Sequence, residues 1–290
     1  MSSYEIMHEL TYTSVCRNNG VIIFDALAKT ELQTGRRLHE DLLDFSNQIE
    51  RRGYCTYYPV KSKQMMVAAL KTVLNECRSG VLYPVLHFEC HGDPSKGIYI
   101  HASDEYIGWD ELVRYINEIN VATRNNVGVV LAACFGFEIS KFVNFASPCP
   151  FNFVIAAQDE ILAGQLQEVL IGLYKATMSS GDLEAGLRSL DDRLNFFHCG
   201  KWFYQNLASY MINNFNAVGR SDLVEAIVSS RVAKAGYQSR ELVRFERARA
   251  KKYLKTPQNF YRQASRRFFH DKVPISYEDF NAFVGAKKRK

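Results

Sequence analysis

Residues 85–92 read Val-Leu-His-Phe-Glu-Cys-His-Gly, and residues 127–136 read Val-Gly-Val-Val-Leu-Ala-Ala-Cys-Phe-Gly. Each stretch is a short, mostly apolar run that stops at a reactive side chain followed closely by glycine. Bounded apolar runs of this length are typical of strands buried on both faces of a parallel sheet. The segment between them has the pattern of an amphipathic helix. A strand, a helix and a second strand in this order predict a βαβ unit, whose two strands are parallel.

Parallel strands end at the same edge of a sheet, and open α/β sheets bind ligands at that edge. Neighbouring strands are about 5 Å apart, so we expect His91 and Cys134 to lie side by side. A cysteine becomes a useful nucleophile when an imidazole accepts its proton, and the imidazole can then protonate a leaving amine. Glycine lets the backbone approach a substrate closely, so the N–H groups of Gly92 and Cys134 are the expected oxyanion donors.

A single cysteine at a strand end is more often a buried packing residue, but here two strand ends match jointly in order and spacing. A metal site is the alternative, since residues 87–91 hold two histidines, a glutamate and a cysteine. Pro148-Cys149 faintly resembles part of the zinc deaminase signature. That signature needs a second cysteine three residues later, where this chain has Asn152. We therefore predict no metal and no other cofactor.

The two stretches resemble the His-Gly and Ala-Cys pair of the caspase-like cysteine peptidases (clan CD), and most of all the CHAT branch, which is related to separase. Residues 165–187 are also similar to that branch, and the resemblance covers roughly residues 15–200. It implies a caspase-like three-layer α/β sandwich with a mostly parallel six-stranded sheet. It also implies that His91 is the general acid/base and Cys134 the nucleophile of a Cys–His dyad.

Caspase-like enzymes select mainly the side chain that precedes the scissile bond. Some of them bind a basic side chain with an acidic residue two positions before the cysteine, where this sequence has Ala132. The remaining acidic candidates for substrate binding are Asp25, after the first strand, and Asp159 and Glu160, after the fifth. They favour a basic or neutral target side chain over an acidic one, although caps or solvated loop charges are the alternative interpretation.

Apolar runs and helical spacing predict an alternating α/β pattern for the rest of the first 200 residues. The further predicted elements are strands at 21–27, 54–60 and 151–157 and helices at 41–52, 65–80, 109–119, 163–179 and 183–195, with a loop through Gly35. We expect a peptidase domain over residues 1–200. Residues 201–290 are expected to form a helical, basic C-terminal region that packs on the core or extends it.

The charge of the chain is unevenly distributed. Residues 231–290 hold 17 Lys and Arg against 5 Asp and Glu, a net of +12, which leaves −7 for the remainder of a chain whose total is +5. Arg244, Arg247, Lys251 and Lys252, interleaved with aromatic residues at 253, 260 and 261, are candidates for nucleic-acid contacts. Docking of an acidic protein, or simple solvation, is the favoured interpretation.

Composition and cysteine usage indicate the compartment. No basic-then-apolar signal stands at the start, and the longest apolar run is too short to cross a membrane. The seven cysteines are scattered and do not form a disulfide framework. We therefore expect a cytoplasmic protein.

The function predicted from these observations is a cysteine endopeptidase that cleaves a protein substrate. The family resemblance suggests control by a regulatory or sensor protein and a role in bacterial or antiviral defence or in cell death. Two alternatives stay open: a catalytically idle caspase-like interaction module, and a nucleic-acid-binding adaptor that uses the basic tail.

Overall fold

The computed structural model describes residues 18–51, 53–190, 192–215 and 217–288. They form two compact units. The larger unit comprises the described residues of Val15–Asn144 and Cys149–Cys199, and the smaller comprises those of Gly200–Lys290 together with Phe145–Pro148. Residues 1–17 of the predicted peptidase domain, including Cys16, and residues 289–290 of the basic region lie outside the described residues.

A six-stranded sheet forms the centre of the larger unit. All neighbouring strands in it are parallel except the last pair, which is antiparallel. The α/β class with a mostly parallel six-stranded sheet is thereby confirmed. In spatial order, with numbering along the chain, the strands are β2 (Cys55–Pro59), β1 (Gly20–Asp25), β3 (Pro84–Glu89), β7 (Gly128–Ala132), β8 (Phe153–Ala156) and β9 (Asn195–His198).

The four central strands are buried at every residue. Their sequences are rich in Val, Ile, Leu and Phe, as is typical of strands buried on both faces, and the polar residues His87 and Glu89 of β3 are buried with them. The edge strands β2 and β9 keep partly exposed positions. The middle of the sheet is therefore fixed by apolar burial, and β3 and β7 are direct neighbours in it, with Glu89 beside Ala132.

Five helices belong to the larger unit: α1 (Thr34–Gln48), α2 (Lys63–Arg78), α3 (Trp109–Ala122), α4 (Ala163–Ser180) and α5 (Leu183–Leu187). α1 and α4 pack together and share a core with alternate residues of the sheet. α2 packs against α3. The buried residues that join α1 and α4 to the sheet include Leu38, Leu42, Leu166, Leu170, Val21, Ile23, Val85, Val130 and Ile155.

A small antiparallel sheet follows β3 directly. Its strands are β4 (His91–Asp93), β5 (Gly97–Ile100) and β6 (Glu105–Ile107). Ile98, Ile100 and Ile107 are fully buried, which anchors this sheet by apolar contacts. The chain thus leaves the main sheet at Cys90, so His91 lies in a different sheet from His87.

Two predicted elements were wrong. A loop was expected through Gly35, but this residue lies in the first turn of α1. The helix begins at Thr34, and Thr34 and Gly35 are both buried. The expected helix over 183–195 is only the five-residue α5 followed by β9. Leucines at 183, 187, 190 and 194 recur at helical spacing but all pack on the same apolar core, and the segment after them gains the strand pairing of β9 with β8.

The smaller unit is helical within its described residues. It contains α6 (Cys199–Asn214, which starts in the larger unit), α7 (Ala217–Ala235), α8 (Arg240–Leu254), α9 (Pro257–Phe268) and α10 (Tyr277–Lys288). One core consists of stacked aromatic rings, in which Phe203 lies 4.4 Å from Phe268 and Tyr261 lies 4.7 Å from Phe280 between ring centroids. A second core joins α7 to α8 through Val224, Val228, Ala250 and Leu254.

None of the helices in the described ranges is long and apolar enough to cross a membrane.

Candidate active site

The turn that follows β7 presents Cys134. Phe135 adopts the left-handed conformation, with φ 56° and ψ 16°, and a 3-10 helix begins at Gly136. A positive φ is a strained backbone conformation for a bulky residue, and the surrounding structure must hold it in place. Here the loop after β8 holds it, because the N–H of Phe135 donates to the carbonyl of Asp159 at 3.3 Å and that of Phe137 to Ala157 at 2.9 Å.

The thiol of Cys134 is only partly buried. Its one hydrogen-bond partner among the described residues is the carbonyl oxygen of Ile161, at 3.9 Å from Sγ. By contrast Cys90 is buried, and burial in an apolar environment raises the pKa of its thiol strongly. Of the two cysteines at this sheet edge, Cys134 is therefore the one that a substrate can reach. The six cysteines of the described ranges all carry free thiols.

Gly92 brings the end of β3 into direct contact with Cys134. A Cβ atom on residue 92 would overlap the carbonyl oxygen of Cys134, and it would also come within 3.4 Å of the Cβ atom of Ala133. Only glycine allows two backbones to approach this closely. The structure therefore brings together the backbones of two of the predicted site residues, Gly92 and Cys134, at the shared carboxyl edge of β3 and β7.

The imidazole of His91 is half-exposed, and its Nε2 atom lies 2.7 Å from Oε1 of Glu31. Glu31 is itself fixed, since its Oε2 atom accepts the N–H of Ala28 at 2.7 Å. Burial opposes ionisation of Glu31, but the hydrogen bonds from Ala28 and His91 outweigh it, so the pKa of this carboxyl is lowered. A carboxylate held in this way orients an imidazole and leaves Nδ1 as its other nitrogen for proton transfer.

Sequence reasoning missed Glu31. It considered only the acidic residues nearest the strand ends, whereas Glu31 lies six residues beyond Asp25, in the loop that connects β1 to α1. The signal that could have found it is topological: β1 is the direct neighbour of β3, so the loop after β1 emerges at the same edge of the sheet as His91.

Asp25 is buried rather than open to a substrate. It accepts hydrogen bonds from the Tyr57 hydroxyl at 2.8 Å and from the N–H of Leu27 at 3.1 Å. Burial raises its pKa, and these hydrogen bonds only partly counter that effect. Gly35 of α1 packs directly against it, since a Cβ there would lie 2.8 Å from Oδ2. These contacts indicate that Asp25 has a structural role in the core.

A second set of buried polar groups lies beside Asp25 in the same core. Oε1 of Glu89 is 2.9 Å from Nε2 of His87, and Oε2 accepts the Thr34 hydroxyl at 2.7 Å. The other ring nitrogen of His87 lies 2.8 Å from the Tyr174 hydroxyl. Each of these buried groups has partners, as burial of polar atoms requires. The network joins β3 to α1 and α4 directly below the sheet edge that carries the site.

Asp159 and Glu160 are exposed on the loop after β8. They line a polar cleft of about 370 Å³ together with Ile161, Asp192 and Arg193. This loop also holds the backbone of Phe135 and accepts from the thiol of Cys134. Three carboxylates against one guanidinium make the cleft acidic, and it lies next to the nucleophile candidate.

Among the described residues, no group of three or more His, Cys, Asp and Glu side chains is arranged to hold a metal ion. The predicted cluster at 87–91 is divided. His87 and Glu89 point into the core, while His91 turns toward Glu31 in the small sheet. Cys149 lies far along the chain from this cluster, in a buried group of asparagines. Its sulfur accepts a hydrogen bond from the side-chain amide of Asn120, and its thiol donates one to the side-chain oxygen of Asn125.

The basic residues considered for nucleic acid lie on α8, and two of their three aromatic companions pack against other rings of the helical unit. Tyr261 is 1% exposed, and the ring of Phe260 packs between Tyr210 and Phe215. Tyr253 is partly exposed.

No family model matches the sequence, and no curated protein matches it. The resemblance to caspase-like peptidases therefore stays a prediction, which depends on the residues and geometry described above.

We predict that Gly92→Ala lowers the free energy of unfolding by about 1–3 kcal/mol, because the new methyl group overlaps the Cys134 carbonyl and forces the two strand ends apart. Urea unfolding measures this change. Gly164→Ala is the control, since among the described residues no atom outside its own stretch of α4 lies within 4 Å of an added Cβ. Equal stability of both variants would contradict the close approach.

We predict that two substitutions of Asp25 have different effects on the stability of the protein. Its pKa is raised on folding, so its ionisation makes stability fall as pH rises above the unfolded-state pKa. Asp25→Asn removes this cost and keeps polar partners for Tyr57 and Leu27, so its stability at pH 7 equals or exceeds that of the wild type. Asp25→Ala loses those bonds and about 1–3 kcal/mol. Unfolding midpoints at pH 4–8 test this, and an equal loss in both variants would refute it.

Proposed function

We propose that this protein is a cysteine endopeptidase in which Cys134 is the nucleophile and His91 the general acid/base. The observation that carries the proposal is the backbone contact between Gly92 and Cys134. It joins the His-Gly and Ala-Cys segments at one sheet edge, with a partly exposed thiol on one side and an oriented imidazole on the other.

The proposed family is that of the caspase-like peptidases, in the CHAT and separase-related branch. The mostly parallel sheet of six strands supports it, as does the core that α1 and α4 share with that sheet. In this proposal the larger unit is the three-layer peptidase domain. The described residues of 201–290 form a helical, basic C-terminal appendage.

The reaction follows from the residue types. The imidazole of His91 accepts the proton of the Cys134 thiol, and the thiolate attacks the carbonyl carbon of the scissile peptide bond. The resulting imidazolium protonates the leaving amine as the C–N bond breaks, which leaves a thioester on Cys134. His91 then takes a proton from water, and the hydroxide attacks the thioester and expels the Cys134 thiolate as the C–S bond breaks. The imidazolium returns its proton to the thiolate, which releases the acid and restores the free thiol.

The negative charge of the tetrahedral intermediate needs donors placed where it develops. The N–H groups of Gly92 and Cys134 are the proposed donors, because the two backbones lie against each other at the site. The strained conformation of Phe135, directly after the nucleophile, supports this role, since strain of this kind is found where a backbone is held ready for a reaction.

The acidic cleft beside Cys134 supports a preference for a basic side chain before the scissile bond. Asp159 and Glu160 are the proposed substrate-binding residues, and Asp192 of the same cleft joins them. We propose only an indirect contribution of Asp25 to substrate binding, because its carboxylate is buried and already accepts a hydrogen bond from the Tyr57 hydroxyl.

A catalytically idle interaction module is the second candidate. One observation favours it: among the described residues His91 contacts Glu31, and the thiol of Cys134 contacts Ile161. A site of this kind would be completed when a regulatory or sensor protein docks. Such control and a role in bacterial defence or cell death rest on the family resemblance alone, and the proposed cytoplasmic location rests on the cysteine usage.

Covalent labelling tests the proposal. Peptidyl acyloxymethyl ketones that carry Arg, Lys, Leu or Asp next to the reactive group are incubated with the protein, and adducts are mapped by mass spectrometry. We expect an adduct on Cys134, strongest with Arg or Lys, at least tenfold slower in His91→Ala and absent in Cys134→Ala. A preference for Asp would refute the acidic pocket, and labelling elsewhere would refute the nucleophile.

We further predict that Glu31→Gln slows the labelling of Cys134 roughly tenfold, because the amide no longer stabilises a charged imidazole. Glu40→Gln is the matched control, since its carboxylate is on the exposed side of α1 and pairs only with Arg36 there. A faster reaction in Glu31→Gln would show that Glu31 holds the imidazole away from the thiol.

A further inference from the structure

The exposed face of α8 is strongly basic. The helix carries six Arg and Lys residues and two Glu residues. Arg240 and Arg244 are one helical turn apart on the same face, and both are exposed. Neither makes an ion pair with another residue in the part of the chain that the structure describes. Lys251 and Lys252 are also exposed and extend this basic surface toward the end of the helix.

The acidic residues near this surface leave most of its charge uncancelled. Glu246 is buried and pairs with Arg231 of α7 at 2.7 Å. Glu225 of α7 pairs with Arg247 through two bonds of 2.8 and 2.7 Å. Glu241 is the remaining carboxylate on α8. Arg247 is therefore partly neutralised, whereas Arg240 and Arg244 are exposed and have no carboxylate partner within the described ranges.

Two exposed aromatic rings flank these arginines. Tyr237 lies in the turn before α8, Phe245 lies on the helix, and each is 63% exposed. Most other aromatic residues of the smaller unit stack in its interior, so these two rings are exceptions. Both arginines line a shallow cleft of about 570 Å³, together with Gln238, Ser239, Val243 and Arg247.

We propose that this surface of α8 binds single-stranded nucleic acid. The guanidinium groups of Arg240 and Arg244 contact backbone phosphates, with Lys251 and Lys252 further along the strand. Unpaired bases stack on the rings of Tyr237 and Phe245, as they do on exposed aromatic residues in other single-strand-binding surfaces. This binding function is independent of the peptidase chemistry proposed for Cys134.

The combination of groups favours this ligand over two others. An acidic protein would satisfy the arginines but does not account for two solvent-exposed rings beside them. An anionic membrane surface would require a wide apolar face on the helix, and on α8 Phe245 is the only large apolar side chain that is strongly exposed. Duplex nucleic acid keeps its bases stacked inside the helix and offers no free faces to the rings.

Fluorescence anisotropy with the full-length protein tests the proposal. The probes are a labelled 20-nucleotide single-stranded RNA of mixed sequence and its duplex, each at several salt concentrations. The variants are Arg240→Ala/Arg244→Ala and Tyr237→Ala/Phe245→Ala. Lys61→Ala/Lys71→Ala, which removes two exposed charges from the larger unit, is the charge-matched control, and circular dichroism checks that every variant is folded.

We expect salt-sensitive binding of the single strand, weakened about tenfold by the arginine pair with a salt slope lower by about two. The aromatic pair should also weaken it about tenfold while leaving the salt slope unchanged. The lysine control should bind like the wild type. The proposal is overturned by no binding at low salt, by duplex binding as tight as single-strand binding, or by an equal loss in the control. Binding of anionic vesicles or polyglutamate in place of RNA also overturns it.

Discussion

The packing of Gly92 against the carbonyl of Cys134 is the constraint on which the candidate site depends. β3 and β7 are parallel neighbours, so their ends reach the same edge, but parallel pairing alone leaves the two loops free to diverge. The missing side chain at residue 92 lets the loops touch, and a left-handed turn at Phe135 directly follows Cys134, whose thiol stays partly exposed. Sheet topology supplies proximity, and a glycine and a strained turn supply the close backbone contact on which the proposed chemistry depends.

A buried polar network supports this edge from below. Asp25 and Glu89 end neighbouring strands, where two carboxylates side by side would repel each other in a core of low polarity. The first turn of α1 offsets this repulsion. The Thr34 hydroxyl donates a hydrogen bond to Glu89, and the positive, N-terminal end of the helix dipole lies over both carboxylates. Gly35 allows that approach. The loop that connects β1 to this helix also holds Glu31 against His91, so the core network and the site share one segment.

Much of the fold could be predicted from local sequence, because apolar runs bounded by glycine or polar residues determine buried strands. The βαβ topology likewise predicted that the segments after β3 and β7 meet at one sheet edge, where the backbones of Gly92 and Cys134 are in contact. The predictions that failed depended on contacts between residues that are distant in the sequence. The leucines at 183–194 follow a helical spacing, yet their segment ends in a strand because the open edge of β8 accepts it. Glu31 could not be found either, since its role depends on a loop that meets His91 only in three dimensions.

The decisive measurement is the structure of the protein with a peptide aldehyde ending in arginine. We predict a thiohemiacetal on Cys134 whose oxygen lies within about 3 Å of the N–H groups of Gly92 and Cys134. We also predict that the arginine side chain lies in the cleft of Asp159 and Glu160. An adduct whose oxygen points away from both N–H groups, or a covalent bond to another cysteine, would contradict the proposed site.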